Sequence, residues 1–303
     1  AKLGQQAKGA LPDLVRATTD ADLRVRWHAA RAIGLIGEDA LSAVPVLVGL
    51  LKDTDPVVAT QAAAAIGLIR EDDGRPAIPA ADAALYAAAV EPLVASTTHQ
   101  DPRVRRAALR ALGRLTASPT ELAPLLSRQL VDADPSVIMP ALHSLADMDD
   151  AAVPFLIEAI KEPKARYWAT IALAEIGPEA APAVDVLARL AAEGELEERM
   201  QAFLALAAIG EAARPAAPVM VEALRADEPT LWFPAAFALG SARAAEGDAV
   251  LEKAAASGDR FLAEVASWAR AKIHPDDAAL LSEAVKRLRA GLTSDRPNER
   301  SAA

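Results

Sequence analysis

The sequence predicts an all-α solenoid, and three observations predict it. A helical apolar pattern returns down the chain at a spacing mostly near 33 residues, prolines and acidic turns recur between its copies, and no run alternates as a strand would. The pattern is plainest in Arg24-Val25-Arg26-Trp27-His28-Ala29-Ala30-Arg31-Ala32-Ile33-Gly34-Leu35-Ile36-Gly37. Its recurring positions, 25, 29, 32, 33 and 36, form one 3.6-period face, with alanine where helices approach closely and Val, Ile or Leu where volume is needed. That face is expected to be core, and the segment to be the second helix of a two-helix repeat.

Bulk properties agree. The 303 residues exceed what one globular core usually holds, and a fixed spacing favours an array in which each unit buries its face against its neighbours. Hydrophobic residues make up 52% and aromatics only 4%, a composition suited to thin helical layers. The net charge of -10 and a pI near 5.0 oppose nucleic acid and anionic membranes as partners of the whole surface, while leaving room for local basic patches. There is no cysteine, which excludes disulfides, thiolate nucleophiles and cysteine-ligated zinc. No uncharged apolar run of membrane-spanning length stands out, and the N-terminus lacks the layout of a secretory signal.

Aligned on Ile33, the second helices carry Ile33, Ile66, Leu112, Leu145, Leu173, Leu206, Leu239 and, less regularly, Ile273. The next position holds Gly34, Gly67, Gly113, Ala146, Ala174, Ala207 and Gly240, all small, which marks a close helix crossing. Gly37, Gly177 and Gly210 follow the last apolar residue and suit a left-handed cap. First helices are expected to start at Leu11-Pro12, Val44-Pro45, Ala123-Pro124, Val153-Pro154 and Ala217-Pro218, with proline in the first turn, where its missing N–H does no harm. Acidic turns such as Asp53-Thr54-Asp55-Pro56 and Asp132-Ala133-Asp134-Pro135 separate the two helices, the second Asp capping the following helix. One more amphipathic helix, 276–292, with Glu283, Lys286, Arg287 and Arg289 on its polar side, is expected to cap the array, followed by a polar tail at 293–303. Leu3-Gly4 matches Ile36-Gly37, so the chain is expected to begin inside a repeat.

An early proline in an apolar first helix, an Asp-x-Asp-Pro turn, then Val-Arg-x-x-Ala-x-x-Ala-Leu-x-x-Ile-Gly resembles the HEAT-repeat family. The match is closest at 53–69, 101–115 and 164–177. The resemblance implies an armadillo-type fold: a right-handed α-α superhelix of about eight antiparallel helix pairs, a single solenoid over residues 1–292. The alanine-rich, short-looped version is similar to bacterial HEAT modules and to phycobilisome-lyase-type repeats.

Two departures interrupt the period. Between Ile66 and Leu112 the spacing stretches through Arg70-Glu71-Asp72-Asp73-Gly74-Arg75-Pro76-Ala77-Ile78-Pro79, read as a solvated connector leading into a lengthened helix from about Asp82. Glu71-Asp72-Asp73-Gly74 lacks the alternating ligands of a calcium loop. Between Leu145 and Leu173 the spacing shortens, around Asp149-Asp150 and Lys161-Glu162-Pro163.

Little in the chain is suited to catalysis. The four histidines, His28, His99, His143 and His274, fall in different units without metal-ligand spacing, and no phosphate loop or nucleophile elbow is present. No catalytic residue, cofactor or metal site is assigned. Asp20, Asp22, Asp53, Asp55, Asp132 and Asp134 recur in the turns, and Arg26, Arg105, Arg166 and Arg199 share the position after Val25. These are read as a structural ladder between repeats.

Recognition is placed on the face opposite the core. In the family resembled, second helices line a concave groove. Position 27 runs Trp27, Thr60, Arg106, Met139, Tyr167, Met200, Phe233, and position 31 runs Arg31, Ala64, Arg110, His143, Ile171, Leu204, Phe237. One half of the expected groove therefore offers Arg24, Arg31, Arg103, Arg106, Arg110 and Arg114. The other offers Met139, Tyr167, Trp168, Ile171, Met200, Leu204, Trp232, Phe233 and Phe237, either as exposed anchors or half-buried between neighbouring helices. The function expected is a non-catalytic scaffold binding a protein or peptide segment, or another domain of the same longer chain. Two alternatives are a nucleic-acid module with Arg103, Arg106, Arg110 and Arg114 on phosphates, which an interrupted basic track and the net charge oppose, and a bilin lyase-like protein holding a tetrapyrrole on Tyr167, Trp168 and Trp232.

Overall fold

The computed structural model describes residues 4–70, 80–115 and 119–293. Among them there is no strand. Helices follow in pairs: α1 (Leu11–Ala17) and α2 (Leu23–Ile36), α3 (Val44–Leu50) and α4 (Pro56–Ile69), α5 (Ala80–Ser96) and α6 (Pro102–Leu115), α7 (Pro119–Ser127) and α8 (Pro135–Ala146). The series continues with α9 (Val153–Ala159) and α10 (Pro163–Ile176), α11 (Val184–Glu193) and α12 (Leu196–Ile209), α13 (Ala217–Arg225) and α14 (Pro229–Ser241), α15 (Asp248–Ala255) and α16 (Arg260–Ile273), and ends in α17 (Ala278–Leu292). The chain divides into two compact bodies, Ala1–Ser144 and Leu145–Ala303. In the first body α2 packs on α4 and α4 on α6. In the second, α10 packs on α12, α12 on α14, α14 on α16, and α17 covers α16.

Each helix begins and ends where the local chemistry requires. Prolines 12, 45, 154 and 218 lie in the first turn of α1, α3, α9 and α13. Pro124 departs from the expectation: α7 starts earlier, at Pro119, and Pro124 sits inside it. The lengthened helix starts at Ala80 and runs on through Pro92, and the connector 71–79 lies outside the described residues. Asp22, Asp55, Asp259 and Asp277 cap α2, α4, α16 and α17, each carboxylate accepting a backbone N–H of the first turn.

Gly37, Gly177 and Gly210 take φ of 76°, 74° and 76°. Their ψ values, -146°, -131° and -136°, put them outside the left-handed helical region expected of such caps, in a region open essentially only to glycine. There the chain turns out of the second helix into a short 3₁₀ segment and then into the next first helix. The runs Leu23–Leu50 and Leu196–Arg225 are long and apolar enough by composition to cross a membrane, but Gly37 and Gly210 break each into two helices of adjacent repeats.

The core is wider than the expected face. Ile33, Ile66, Leu112, Leu145, Leu173, Leu206 and Leu239 are all fully buried, and so are Ala30, Ala63, Leu142, Phe203 and Ala236 at position 30, which the expected face omitted. A second helix touches its own first helix and the second helices on both sides, so more than one stripe is covered. Val25 is the exception at its position, 38% exposed where Val58, Val104, Val137 and Leu231 are buried, because α2 has no preceding second helix among the described residues. Ile273 does not take the position of Ile33. Counting from the caps, Asp22 in α2 and Asp259 in α16, Ile273 matches Ile36, and Arg270 falls at the Ile33 position.

Close approach concentrates at the small residues. A Cβ on Gly34 would lie 2.7 Å from the Ala65 Cα, one on Gly67 3.2 Å from the Ala111 Cα, and one on Gly240 2.7 Å from the Ala269 Cα. Gly113 does not share this role: its nearest neighbour is a Leu122 methyl at 3.9 Å. The two glycines should therefore respond oppositely to alanine. Gly34→Ala pushes one backbone against another and is expected to lower unfolding stability by about 1–3 kcal/mol. Gly113→Ala gains helix propensity and is expected to raise it by about 0.5–1 kcal/mol. Urea denaturation of both variants checks the pair of signs.

Candidate interaction faces of the second helices

The acidic turns and the arginines after position 25 meet as the sequence predicts. Arg26 donates from Nε and Nη2 to both Asp53 oxygens at 2.8 and 3.0 Å, and from Nη1 to the carbonyls of Asp20 and Ala21. Arg105 repeats this on Asp132, at 2.6 Å for both bonds, and on the carbonyls of His99 and Gln100. One guanidinium thus closes its own turn and clamps the next, in a fork only Arg can supply. The first Asp of the turn also accepts the N–H of the second, from Asp55 to Asp53 and from Asp134 to Asp132, which orients that second Asp to cap its helix. In the second body the partners are glutamates at other positions: Arg166 reaches Glu198, inside the first turn of α12, at 3.2 Å, and Arg199 reaches Glu228, the residue that precedes α14, at 2.6 Å.

Trp232 takes the same position in α14. Its indole N–H donates to the Ala226 carbonyl at 3.0 Å, six residues back, as Arg26 does to Asp20 and Arg166 to Ile160. Trp232 therefore closes a turn and stands apart from Phe233 and Phe237, with which the sequence grouped it. The histidines have ordinary surroundings: His99 Nδ1 accepts from the Asp101 N–H at 2.9 Å, His274 lies 3.2 Å from Asp248, and His28 packs edge-on against Trp27. Among the described residues no group of His, Asp and Glu is arranged to hold a metal.

On the face away from the turns, the two bodies differ. In the first, Arg24 is exposed and pairs with Asp22, Trp27 is half-buried, and Arg31 lies 5.5 Å over the Trp27 ring, a cation–π contact within one helix. Arg103, Arg106, Arg110 and Arg114 project from α6 and, with Thr60, Ala64, Gly67 and Leu68 of α4, line a cleft of about 280 Å³. Arg103 is paired with Asp101 and Arg106 lies near Asp134, whereas Arg110 and Arg114 have no carboxylate partner among the described residues. Met139 is exposed on α8. In the second body Tyr167, Trp168, Ile171, Met200, Leu204, Phe233 and Phe237 are all half-buried: neighbouring second helices run close enough for each side chain to be partly covered. Tyr167 and Trp168 meet edge to face at 5.1 Å.

The sequence reading missed three residues here, Phe261, Glu264 and Trp268 of α16. Phe261 stacks on Phe233 at 4.7 Å and Trp268 on Phe237 at 5.0 Å, extending the aromatic series by one helix. Registering α16 from its cap at Asp259, and not from Ile273, would have brought them into line.

Repeated helix pairs joined by ladder turns define an α-solenoid repeat protein. The family model described as HEAT repeats matches two stretches of the chain, residues 2–67 and 90–165. No curated protein sequence matches it. Among solved structures, Kap121p is similar with a TM-score of 0.71 at 12% identity, covering 97% of this chain and 36% of Kap121p, so the chain spans about a third of that protein. A mutant form of Kap121p matches equally, at a TM-score of 0.71 and 12% identity over 97% of this chain and 37% of that one. An engineered protein from the Northeast Structural Genomics Consortium is 26% identical over 98% of this chain and 89% of its own, with a TM-score of 0.47. These likenesses concern the fold.

The ladder also sets an acid limit. Hydrogen bonds from Arg26 hold the Asp53 carboxyl below its ordinary range against the opposing effect of burial, and those from Arg103 bring Asp101 down to about 2. Folded carboxyls with lowered pKa bind fewer protons than unfolded ones, so their contribution is present above the unfolded value and lost as pH falls through the folded one. Urea midpoints are expected to fall between about pH 5 and about pH 2, and to fall less in an Asp53→Asn, Asp101→Asn double variant.

Proposed function

We propose that this chain is a non-catalytic scaffold that holds a protein or peptide segment against the exposed face of its second helices. The observation that carries the reading is the cleft between α4 and α6. Four arginines line one wall and Thr60, Ala64, Gly67 and Leu68 the other, and Arg110 and Arg114 have no carboxylate partner among the described residues. In a chain of net charge -10, such a cleft is a local cationic exception. Guanidinium groups recognise carboxylates in bidentate pairs, and Ala64 and Leu68 offer apolar contact beside them. An acidic segment with an apolar residue next to its carboxylates matches both walls. The half-buried aromatic and Met side chains of the second body provide adaptable apolar contacts of the kind interfaces favour.

The test is selection of peptides from a random display library on the intact chain. Peptides carrying Asp or Glu beside an apolar residue are expected, with affinity at least about tenfold weaker on an Arg110→Glu, Arg114→Glu variant. Tyr167→Ala combined with Phe233→Ala probes the second body in the same way. Affinities unchanged in both variants would sink the proposal. A duplex DNA probe supplies the competing outcome: binding that falls steeply with salt and disappears in the arginine variant would assign the cleft to phosphates.

A further inference from the structure

A second cavity, of about 210 Å³, lies in the second body between α14, α16 and α17. Its walls are Phe233, Phe237, Phe261 and Trp268, closed on one side by Leu288. The rings are mutually stacked: Phe261 on Phe233 at 4.7 Å and 22°, Phe233 beside Phe237 at 6.0 Å and 4°, and Phe237 on Trp268 at 5.0 Å and 25°. Val265 adds an apolar side chain, and the remaining lining residue is a carboxylate. Glu264 stands at the α16 position that holds Phe233 in α14, Met200 in α12 and Tyr167 in α10, and it is only 4% exposed. Its Oε1 accepts from Arg260 Nε at 3.2 Å, while Oε2 is buried with no hydrogen-bond partner. Arg260 is also tied by Nη2 to the Ala290 carbonyl at the end of α17, at 2.8 Å.

A buried carboxylate with one oxygen unsatisfied is costly unless something cationic or hydrogen-bonding meets it. Aromatic faces carry negative quadrupole potential and attract cations, most strongly where water is excluded. A cavity walled by aromatic rings and holding an orphaned carboxylate oxygen is selective for a positive charge borne on hydrocarbon. At about 210 Å³ it falls below the roughly 300–1,000 Å³ of sites for drug-sized ligands, which leaves a compact head group. We infer that this cavity binds an alkylammonium group, its methylene or methyl carbons against Phe233, Phe237 and Trp268 and its charge directed to Glu264. This site is independent of the arginine cleft in the other body, which selects the opposite charge.

The test titrates the intact chain with two matched pairs of probes, following the Trp268 indole N–H by NMR. Choline is compared with its neutral isostere 3,3-dimethyl-1-butanol, and the peptide acetyl-Gly-Gly-Lys-Gly-Gly-amide with the same peptide carrying norleucine. At least one cation is expected to saturate the signal, with its neutral counterpart at least about tenfold weaker. Choline alone identifies a free quaternary ammonium compound as the source, and the lysine peptide alone a protein side chain. Glu264→Gln keeps the shape and should weaken the cation at least about tenfold, leaving the neutral probe unchanged. Should that variant not fold, Phe261→Leu removes a ring while keeping an apolar wall and should weaken the cation in the same sense. No saturation by either cation at about 10 mM, or equal binding of charged and neutral partners, would overturn the assignment.

Discussion

The close crossing of successive second helices is the constraint on which the rest depends. Where Gly34 meets Ala65 and Gly240 meets Ala269, there is no room for another carbon between the backbones, and where Gly67 meets Ala111 one would fit only tightly. Glycine inside a helix costs about 1 kcal/mol relative to alanine. That cost is offset by the burial of Ile33, Ile66 and Leu239 beside these glycines, each completely removed from solvent. In the second body the side chains at positions 27 and 31 of α10, α12 and α14 are half-buried, while Arg31 and Arg110 of the first body stay exposed.

The turns hold the pairs in register from the other side. Each arginine of the ladder satisfies carbonyls in its own turn and a carboxylate in the next, so a polar group that would otherwise be left over at the edge of one repeat is answered by its neighbour. Trp232 shows that the position is defined by the carbonyl it serves: an indole N–H there meets Ala226 without any carboxylate partner. Charge and aromatic character in this chain therefore have two separate uses. On the turn side they close repeats, and on the opposite side they line clefts.

Those clefts differ in kind between the two bodies. The one between α4 and α6 is walled by arginines, two of them without carboxylate partners among the described residues. The one between α14, α16 and α17 is walled by stacked rings over a buried glutamate. A repeat protein can vary the residues of one position from unit to unit without disturbing its core, because those residues face away from the buried stripe. The reading as a scaffold rests on that freedom.

Most of the fold was legible in the sequence. The recurrence of Val-Arg-x-x-Ala with a small residue after each buried Ile or Leu, the proline starts and the Asp-x-Asp turns all report local requirements, and local requirements are written residue by residue. So was the ladder, since its partners recur together. The register of α16 was not, because Arg270 occupies the Ile33 position there and removes the apolar marker used for counting, which hid Phe261, Glu264 and Trp268. Nor were the roles of Trp232 and Gly113. By itself the sequence determined a helical repeat array resembling HEAT repeats, with an arginine-rich part and an aromatic part. Only the tertiary structure decided which arginines are already paired, which aromatic rings stack on one another and that one carboxylate oxygen is left unpaired among them. Pairing and stacking are set by distances across neighbouring helices, and a one-dimensional period does not contain those distances.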